Sequence, residues 1–385
     1  MNMRAALLLL CGPLIATPVL AGTHDVLIGL DQKITYDANG QVNGPPGKDA
    51  VLIMDVSNPA KPKIRASIPL MNSLLGPPTN LQITPDGKLG LVANSVVMNQ
   101  DGTVWKTAPD DKLFVIDINA TPPKLIDTVT VGAQPSGIAI SRKGDLALTA
   151  NRAGKSVSVL SIENGAVKLL GNIPLDQEAA AVAITPDGKR AFVCLNLVNK
   201  VAVLSIDGQK VTYDKSMDIP AALNPYNIDI TPDGRFVIAS NTGAARNNAD
   251  AEVIIEATGP HPHVIDIMSP GNGPEGFAIA PNGRTAAAPL LLGSGAKASD
   301  WFKTRGGELV VMSIGPTGKL TVTGRSPLGL LPEGIAYSPD SNYIYVGNYL
   351  DKNLQVFHVV NGKPLPFGLN IKLPGQPASM RGLAR

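Results

Sequence analysis

The chain has 385 residues and a formal net charge of +2 at pH 7, and 44% of its residues are hydrophobic while 17% are charged. A single hydrophobic core rarely exceeds about 300 residues, so the length argues against a simple sandwich or bundle and favours two domains or one modular architecture. The near-neutral charge and the 4% aromatic content argue against nucleic-acid binding, while 39 Gly and 33 Pro favour many short strands joined by tight turns.

The first 21 residues are typical of a secretory signal peptide. Arg4 precedes an apolar run that ends near Ile15, and Val19, Leu20 and Ala21 form a cleavage sequence. We therefore expect cleavage after Ala21 and a periplasmic or secreted protein. No later apolar segment approaches the roughly 20 residues that a membrane-spanning helix needs.

After this leader, one sequence pattern returns six times. Each copy contains a short apolar segment, a Thr/Ser-Pro-Asp-Gly turn or a variant of it, a second apolar segment and usually an asparagine. The copies begin at Pro78, Pro135, Ala179, Pro225, Pro274 and Pro332, and they are 44 to 58 residues apart. This spacing is typical of β-propeller blades, in which Pro and Gly make the turn between antiparallel strands.

Within each copy the pattern predicts four antiparallel strands. In the copy that begins at Pro135, we expect the strands over residues 137–141, 146–150, 157–162 and 168–174, from the axis outwards. The third segment has apolar residues at every second position, which is typical of a β-strand with one buried face.

A seventh blade is predicted from the two ends of the chain. Residues 376–382 repeat the inner strand, and residues 25–29, 50–56 and 63–69 supply the other three strands. This arrangement closes the ring and leaves no frayed blade at the seam. The prediction is an all-β protein, a single seven-bladed β-propeller domain over residues 22–385 with four antiparallel strands per blade, and we expect a monomer.

These repeats resemble the YVTN-type bacterial β-propeller family, within the broader group of lactonase-like seven-bladed propellers. The resemblance rests on Ser338-Pro339-Asp340 followed by Tyr345-Val346-Gly347-Asn348, and on Thr185-Pro186-Asp187-Gly188. It covers essentially all of residues 22–385 and implies the fold, whereas one fold hosts many activities. Lactonase-like relatives generally carry an Arg-His type pair at the head of one inner strand, and the equivalent pairs here, such as Glu275-Gly276, contain no His.

In such a propeller, the loops between second and third strands share one face with the connections between blades. The longest of these loops are predicted over residues 31–49, 95–111, 242–250 and 291–307. Long loops in a compact domain are often functional, so we expect this face to bind a ligand, with Arg246 and Trp301 on its rim. The alternative is that the loops are solvated insertions that shield the channel.

Polar residues interrupt the small residues expected near the propeller axis. Asn80, Asn227, Asp229 and Arg381 stand where packing favours Gly or Ala. Because a buried charge needs a partner, we expect Asp229 and Arg381 either to pair across the channel or to hold ordered water. The alternative is a structural network that lines a water-filled channel.

Glu275 and Glu333 occupy the same position in consecutive blades, after a Pro and before a Gly. Two carboxylates close together predict either a divalent cation site, for example for Ca²⁺ with Asn227 as a neutral ligand, or a general acid and base. The alternative is that each glutamate accepts backbone N–H groups where its blade begins.

Two functions remain open from the sequence. The first is an exported propeller that binds a small molecule, a peptide or a partner protein on its loop-bearing face around the central channel. The second is a lactonase- or lyase-like enzyme that uses Glu275 and Glu333 with arginine residues and a divalent cation. The predicted catalytic residues are Glu275, Glu333 and Arg381, and the predicted metal ligands are Glu275, Glu333 and Asn227. The predicted ligand-binding residues are Asn80, Tyr226, Asn227, Asp229, Arg152, Arg246 and Trp301.

Overall fold

The computed structural model describes residues 24–72, 76–244 and 246–385. These residues form seven antiparallel blades in a ring, six with four strands and one in which two short strands share the outermost position, which confirms the predicted all-β propeller. The predicted signal peptide and its cleavage site lie outside the described residues and stay predictions. No helix in the described part of the chain is long and apolar enough to cross a membrane.

The chain begins with three strands of the first blade and a small separate hairpin. The blade strands are β1 (Asp25–Asp31), β4 (Ala50–Asp55) and β5 (Lys63–Pro69). The hairpin pairs β2 (Ile34–Asp37) with β3 (Gly40–Asn43) and lies within the long connection predicted over residues 31–49.

The next three blades follow one another, each from the axis outwards. The second blade contains β6 (Leu81–Ile83), β7 (Leu89–Asp101), β8 (Val104–Asp117) and β9 (Lys124–Thr130). The third contains β10 (Pro135–Ile140), β11 (Leu146–Asn151), β12 (Ser156–Glu163) and β13 (Ala166–Pro174). The fourth contains β14 (Ala179–Ile184), β15 (Arg190–Leu195), β16 (Lys200–Asp207), β17 (Lys210–Tyr213) and β18 (Ile219–Pro220), with single-turn 3₁₀ helices at Asn196–Val198 and Lys215–Met217.

Three further blades complete the ring. The fifth contains β19 (Pro225–Ile230), β20 (Phe236–Asn241), β21 (Asp250–Glu256) and β22 (His263–Gly271). The sixth contains β23 (Ala278–Ile279), β24 (Thr285–Leu290), β25 (Glu308–Ile314) and β26 (Leu320–Pro327). The seventh contains β27 (Pro332–Tyr337), β28 (Tyr343–Asn348), β29 (Asn353–Val360) and β30 (Lys363–Lys372).

The last strand, β31 (Gln376–Arg381), returns to the first blade as its inner strand. It pairs antiparallel with β1, with Met380 opposite Ile28. The residues after it continue towards the second blade, where the amide of Ala384 donates to the carbonyl of Ile83 at 2.8 Å. The ring is therefore closed by hydrogen bonds between the two ends of the described chain, as predicted.

The repeated turn is held by its own side chains. In the second blade the Thr84 hydroxyl donates to the Asp86 carboxylate at 2.7 Å, and Gly87 has a φ of +72° that a side chain would strain. Thr185 with Asp187 and Thr231 with Asp233 repeat the bond at 2.6 Å in the next copies of the full Thr-Pro-Asp-Gly motif. This local chemistry explains why the repeat was visible in the sequence.

The hydrophobic core lies between neighbouring blades rather than in one centre. Leu148 and Val159 of the third blade pack with Val182 and Leu204 of the fourth, and all four are almost completely buried. Near the axis the strands approach so closely that a Cβ on Gly137 would lie 2.7 Å from the Cα of Ala181. Small residues at these positions let the blades converge.

Two local predictions were wrong. Residues 95–111 are not a loop, because β7 and β8 continue past the blade as a paired ribbon with Gln100 opposite Trp105. The inner strand of the sixth blade is regular only over Ala278–Ile279, and its earlier part touches β24 through one isolated bridge between Pro274 and Leu290. Glu275 therefore lies in an irregular segment.

Candidate functional site

A pocket of about 410 Å³ opens on the loop-bearing face. Tyr226, Glu275 and Glu333 line it, and each directly follows the proline that begins its blade. Three consecutive inner segments thus contribute the same register position to one cavity. Sequence repetition alone identified these positions but not that they share a pocket.

The backbones around the two glutamates are in close contact. Glu333 is the second residue of the regular strand β27, and a Cβ on Gly276 would lie only 2.2 Å from the Glu333 carbonyl oxygen. Glu275 is tied to the preceding blade, because the side-chain amide of Asn227 donates to its carbonyl at 3.3 Å. Close packing between blades therefore brings the two glutamate side chains to the same pocket.

The two carboxyl groups influence each other's protonation. Burial raises the pKa of Glu275 to about 7, against the opposing effect of the Arg152 charge. Burial also raises the pKa of Glu333 well above its ordinary value, and the charge of Glu275 raises it further. Glu333 is 3% exposed and its Oε2 has no hydrogen-bond partner in the structure. Burial and the mutual repulsion of the two charges therefore favour a pair that keeps a proton near neutral pH.

Arg152 and two tyrosines surround the pair. The Arg152 guanidinium lies 5.7 Å from the centre of the Tyr226 ring and 3.5 Å from the Glu178 carboxylate. Burial and the glutamate charges raise the pKa values of Tyr36 and Tyr226, so both phenols remain protonated donors. The pocket combines two carboxyl groups of raised pKa with two phenolic hydroxyls.

The hairpin of β2 and β3 brings Tyr36 to the pocket. The Tyr36 ring packs edge-on against Tyr349 at 6.3 Å, and the Tyr349 hydroxyl donates to the Ile34 carbonyl at 2.6 Å. Ala298, in the long connection of the sixth blade, donates its amide to the carbonyl of Ala38 at 2.9 Å. The hairpin thus reaches across the loop-bearing face and forms one wall of the pocket.

A buried ion triad anchors this hairpin. The Lys33 ammonium contacts Asp31 at 3.3 Å, forms a short hydrogen bond with Asp49, and also donates to the Asn72 carbonyl. The Lys33 and Asp31 side chains are completely buried, and the Asp49 side chain is almost so. Burial raises the pKa of Asp31, while the Lys33 charge lowers it. The connection over residues 31–49 is therefore held by buried ion pairs at its two ends.

The rim of the pocket carries cationic and apolar groups. Arg246 and Lys297 line it and are exposed, and Phe302 and Leu331 supply apolar surface. Trp301, which was predicted to bind ligand, is 79% exposed and is not among the lining residues.

Arg381 and Asp229 belong to a different cavity, of about 130 Å³, farther along the channel. Arg381 ends its inner strand, three residues beyond the register position of Glu333, which corresponds to roughly 10 Å along a strand. The Arg381 guanidinium donates to the Ile138 carbonyl at 2.6 Å, while Asp229 accepts from the amides of Ile230 and Ile279 at 2.9 Å. Arg381 is thus placed apart from the glutamates with which it was predicted to act.

The remaining predicted residues make backbone contacts. Asn80 is buried in the second blade and its amide donates to the Ala93 carbonyl at 2.9 Å. The Asn227 Oδ1 accepts from the Ile228 amide at 2.8 Å, so this oxygen is already engaged. In the described parts of the chain, no group of three or more His, Cys, Asp and Glu side chains is arranged to hold a metal ion. Of the predicted ligand set Glu275, Glu333 and Asn227, the two glutamates line the pocket on the loop-bearing face, whereas Asn227 lines the other cavity.

Tyr36 and Lys297 line the pocket but were not predicted from the sequence. Tyr36 is the one aromatic residue within residues 31–49, and that isolation in a long polar connection was the available signal. Nothing in the repeat distinguishes Lys297 from the neighbouring cations Lys303 and Arg305.

Comparisons with known proteins agree with this architecture. A family model described as "Lactonase, 7-bladed beta-propeller" matches residues 170–248. No curated protein matches the chain by sequence.

Similar solved structures cover almost the whole chain. A protein of unknown function from Desulfotomaculum acetoxidans has 16% identity and a TM-score of 0.68, covering 94% of this chain and 99% of that chain. A proposed 6-phosphogluconolactonase from Bacteroides fragilis has 16% identity and a TM-score of 0.67, covering 95% and 99%. The periplasmic gluconolactonase of Pseudomonas aeruginosa has 17% identity and a TM-score of 0.64, covering 93% and 98%. At these identities the likeness concerns the fold, and it confirms the resemblance to lactonase-like propellers.

Proposed function

We propose that this lactonase-like propeller is a hydrolase that opens a small lactone in the pocket on its loop-bearing face. The observation that carries the proposal is the pair Glu275 and Glu333, in which burial raises the pKa of Glu275 to about 7 and that of Glu333 well above its ordinary value. Carboxyl pairs whose pKa values are displaced in this way are typical of general acid–base sites.

In the proposed reaction Glu275 acts as the base and Glu333 as the acid. The Glu275 carboxylate takes a proton from water, and the water oxygen forms a bond to the lactone carbonyl carbon. The ring C–O bond then breaks, and the ring oxygen takes the proton of Glu333 to give a hydroxy acid. One proton must return from Glu275 to Glu333 before the next cycle.

The surrounding residues fit the charge that develops on the carbonyl oxygen. Tyr36 and Tyr226 keep their phenolic protons and line the same pocket, so they are available as hydrogen-bond donors to an oxyanion. Arg152 favours the ionised form of Glu275, and at neutral pH this maintains part of the population as the base. The reaction so written needs no metal ion.

A panel of γ- and δ-lactones, including glucono-δ-lactone, tests the proposal with the purified full chain. Ring opening is followed at constant pH, and the uncatalysed rate is subtracted. We expect Glu275→Gln and Glu333→Gln each to lower kcat by about 10² to 10⁴, the usual contribution of a general acid or base. Glu163→Gln changes an exposed glutamate outside the pocket and serves as the matched control.

Two results would contradict the proposed lactone hydrolysis by this pair. Turnover that survives both glutamine variants would exclude the acid–base pair. Saturable lactone binding at this pocket without ring opening would instead make the chain a binding propeller.

We also propose that the protein is exported and acts in the periplasm or outside the cell. The leader-like sequence of residues 1–21 supports this, and the similar gluconolactonase of Pseudomonas aeruginosa is periplasmic by its description. The test is N-terminal sequencing of the protein recovered from the periplasm or medium, which should begin at Gly22. Intact protein retained in the cytoplasm would contradict export.

A further inference from the structure

The fifth blade contains a buried polar pair where other blades are apolar. Ser240 of β20 lies opposite Glu252 of β21, and both side chains are completely buried. The corresponding cross-strand pairs in other blades are Ala93 with Leu113, Ala150 with Val157, and Gly347 with Leu354. A blade therefore packs well without a hydroxyl and a carboxyl at this place.

The polar pair touches the segment that carries Glu275. The Ser240 hydroxyl lies 3.0 Å from Oε1 of Glu252 and 3.1 Å from the carbonyl oxygen of Pro274. The hydroxyl has one proton and a carbonyl only accepts, so both contacts are hydrogen bonds only when that proton goes to Pro274. The contact with Glu252 then requires Glu252 to donate, which a protonated carboxyl can do.

The surroundings of Glu252 agree with this direction. Burial raises the pKa of Glu252 well above its ordinary value and outweighs the opposite effect of the contact with Ser240. Its Oε2 has no hydrogen-bond partner in the structure. A charged carboxylate would be costly here, whereas a neutral acid satisfies Ser240.

The segment needs such support because its own blade does not provide it. Between Pro274 and Ala278 the sixth blade lacks regular pairing with β24. Two side chains of the fifth blade hold this stretch instead, since Ser240 donates to the carbonyl of Pro274 and Asn227 donates to the carbonyl of Glu275.

We infer that Glu252 and Ser240 form a hydrogen-bonded relay, from carboxyl to hydroxyl to the Pro274 carbonyl, that positions Glu275 beside Glu333. This rests on the proposed function as far as catalysis is concerned, but the positioning itself is a property of the folded protein. Neither residue lines the pocket, so both are positioning residues rather than catalytic ones.

The most informative variant replaces the buried polar pair of the fifth blade with the apolar pair of another blade. Ser240→Ala combined with Glu252→Leu reproduces the Ala93 and Leu113 pair of the second blade, so we expect it to fold. The Ser95→Ala variant is the matched control, because Ser95 donates to the carbonyl of Pro135 at 2.7 Å, the same bond at the start of another blade. Glu252→Gln keeps an N–H donor for Ser240 and should position Glu275 as in the wild type.

The readout is the titration of the glutamate carboxyl groups by ¹³C NMR, with signals assigned through Glu275→Gln and Glu333→Gln. The charged and titratable groups around Glu275 in the pocket are unchanged in the variants: Glu333, Arg152, Tyr226, Tyr36, Arg246, Lys297 and Asp300. In the double variant, loss of the Ser240 hydrogen bond releases the segment between Pro274 and Ala278. Glu275 can then move away from Glu333 and towards water. We expect the double variant to lower the Glu275 midpoint by about one pH unit or more. We expect Ser95→Ala and Glu252→Gln to leave it unchanged.

Activity supplies a second, separate readout. In the double variant kcat should fall by roughly 10- to 100-fold with KM changed by less than about twofold, because misplacement of a catalytic group by about 1 Å has effects of this size. A shifted midpoint in a protein that opens no lactone would uphold the relay and refute the proposed function. Glu275-dependent turnover with an unshifted midpoint in the double variant would refute the relay alone. A double variant that fails to fold would also refute it, since the pair would then be needed by the blade itself.

Discussion

The side-chain amide of Asn227 donates a 3.3 Å hydrogen bond to the backbone carbonyl of Glu275, across the boundary between the fifth and sixth blades. The two residues were predicted to share a ligand, but the contact is one of support. It joins an irregular segment of one blade to a regular strand of its neighbour. The pair of Glu275 and Glu333 therefore depends on contacts between blades and on the charges around it.

Removal of the Arg152 charge should raise the pKa of Glu275 above about 7. The guanidinium favours the ionised carboxylate and so opposes the increase that burial causes in the pKa of Glu275. Arg152→Met removes this opposing effect. The base is then ionised only at higher pH, and the acidic limb of the kcat/KM profile should move upwards with it. NMR titration of Glu275 and the pH–rate profile measure this. Arg142→Met, at an exposed turn residue, is the control, and an unmoved midpoint in Arg152→Met would contradict the assigned role.

Lys33→Met should destabilise the protein strongly because it leaves two buried carboxyl groups without their cation. Breaking a buried ion pair by removal of one partner typically costs about 3 to 5 kcal/mol. The loss should be larger at pH 8 than at pH 5, since protonation of Asp31 relieves the repulsion from Asp49. Urea unfolding at both pH values tests this. Lys88→Met, which removes an exposed 3.1 Å pair with Asp86, should cost less than about 1 kcal/mol.

Gly276→Ala should disturb both the fold and the glutamate pair. A Cβ at this position would lie 2.2 Å from the Glu333 carbonyl oxygen and 2.8 Å from the Pro289 ring, so the two blades must move apart. Overpacking of this kind costs about 1 to 3 kcal/mol. Gly171→Ala meets nothing within 4 Å and serves as the control, with little expected change in unfolding free energy. Equal stability of the two variants would contradict the close approach.

Glu252 should make stability fall as pH rises. Its pKa in the folded protein lies above that in the unfolded chain, so the folded state binds more protons. The contribution of Glu252 to the free energy of unfolding is therefore largest below about pH 4.5. It declines as the pH rises towards the pKa of Glu252 in the folded protein. Glu252→Gln removes this contribution, and urea unfolding between pH 5 and 8 should show a shallower decline than in the wild type. Parallel curves would show that Glu252 is ionised in both states.

Local chemistry explains what could be predicted without coordinates. Thr84 with Asp86, and the same pair in later copies, forms a turn from neighbours in the chain, so the blades appear in the sequence as a repeat. The split first blade was also visible, because residues 376–382 carry the same signature as the other inner strands. Glu275 and Glu333 stood out because they occupy the same position in consecutive blades, after a Pro and before a Gly.

Only the tertiary structure determines which residues surround Glu275 and Glu333. Tyr36 reaches the pocket from a hairpin almost 240 positions before Glu275, and its place depends on the buried triad around Lys33. Arg381 shares the inner-strand repeat with the glutamates yet lies about 10 Å farther along the channel. A repeat determines turns and strands through residues that are close in the chain, whereas a site forms where separate blades pack together. The pKa values of its carboxyl groups then depend on how far this packing excludes water and which charges it brings near.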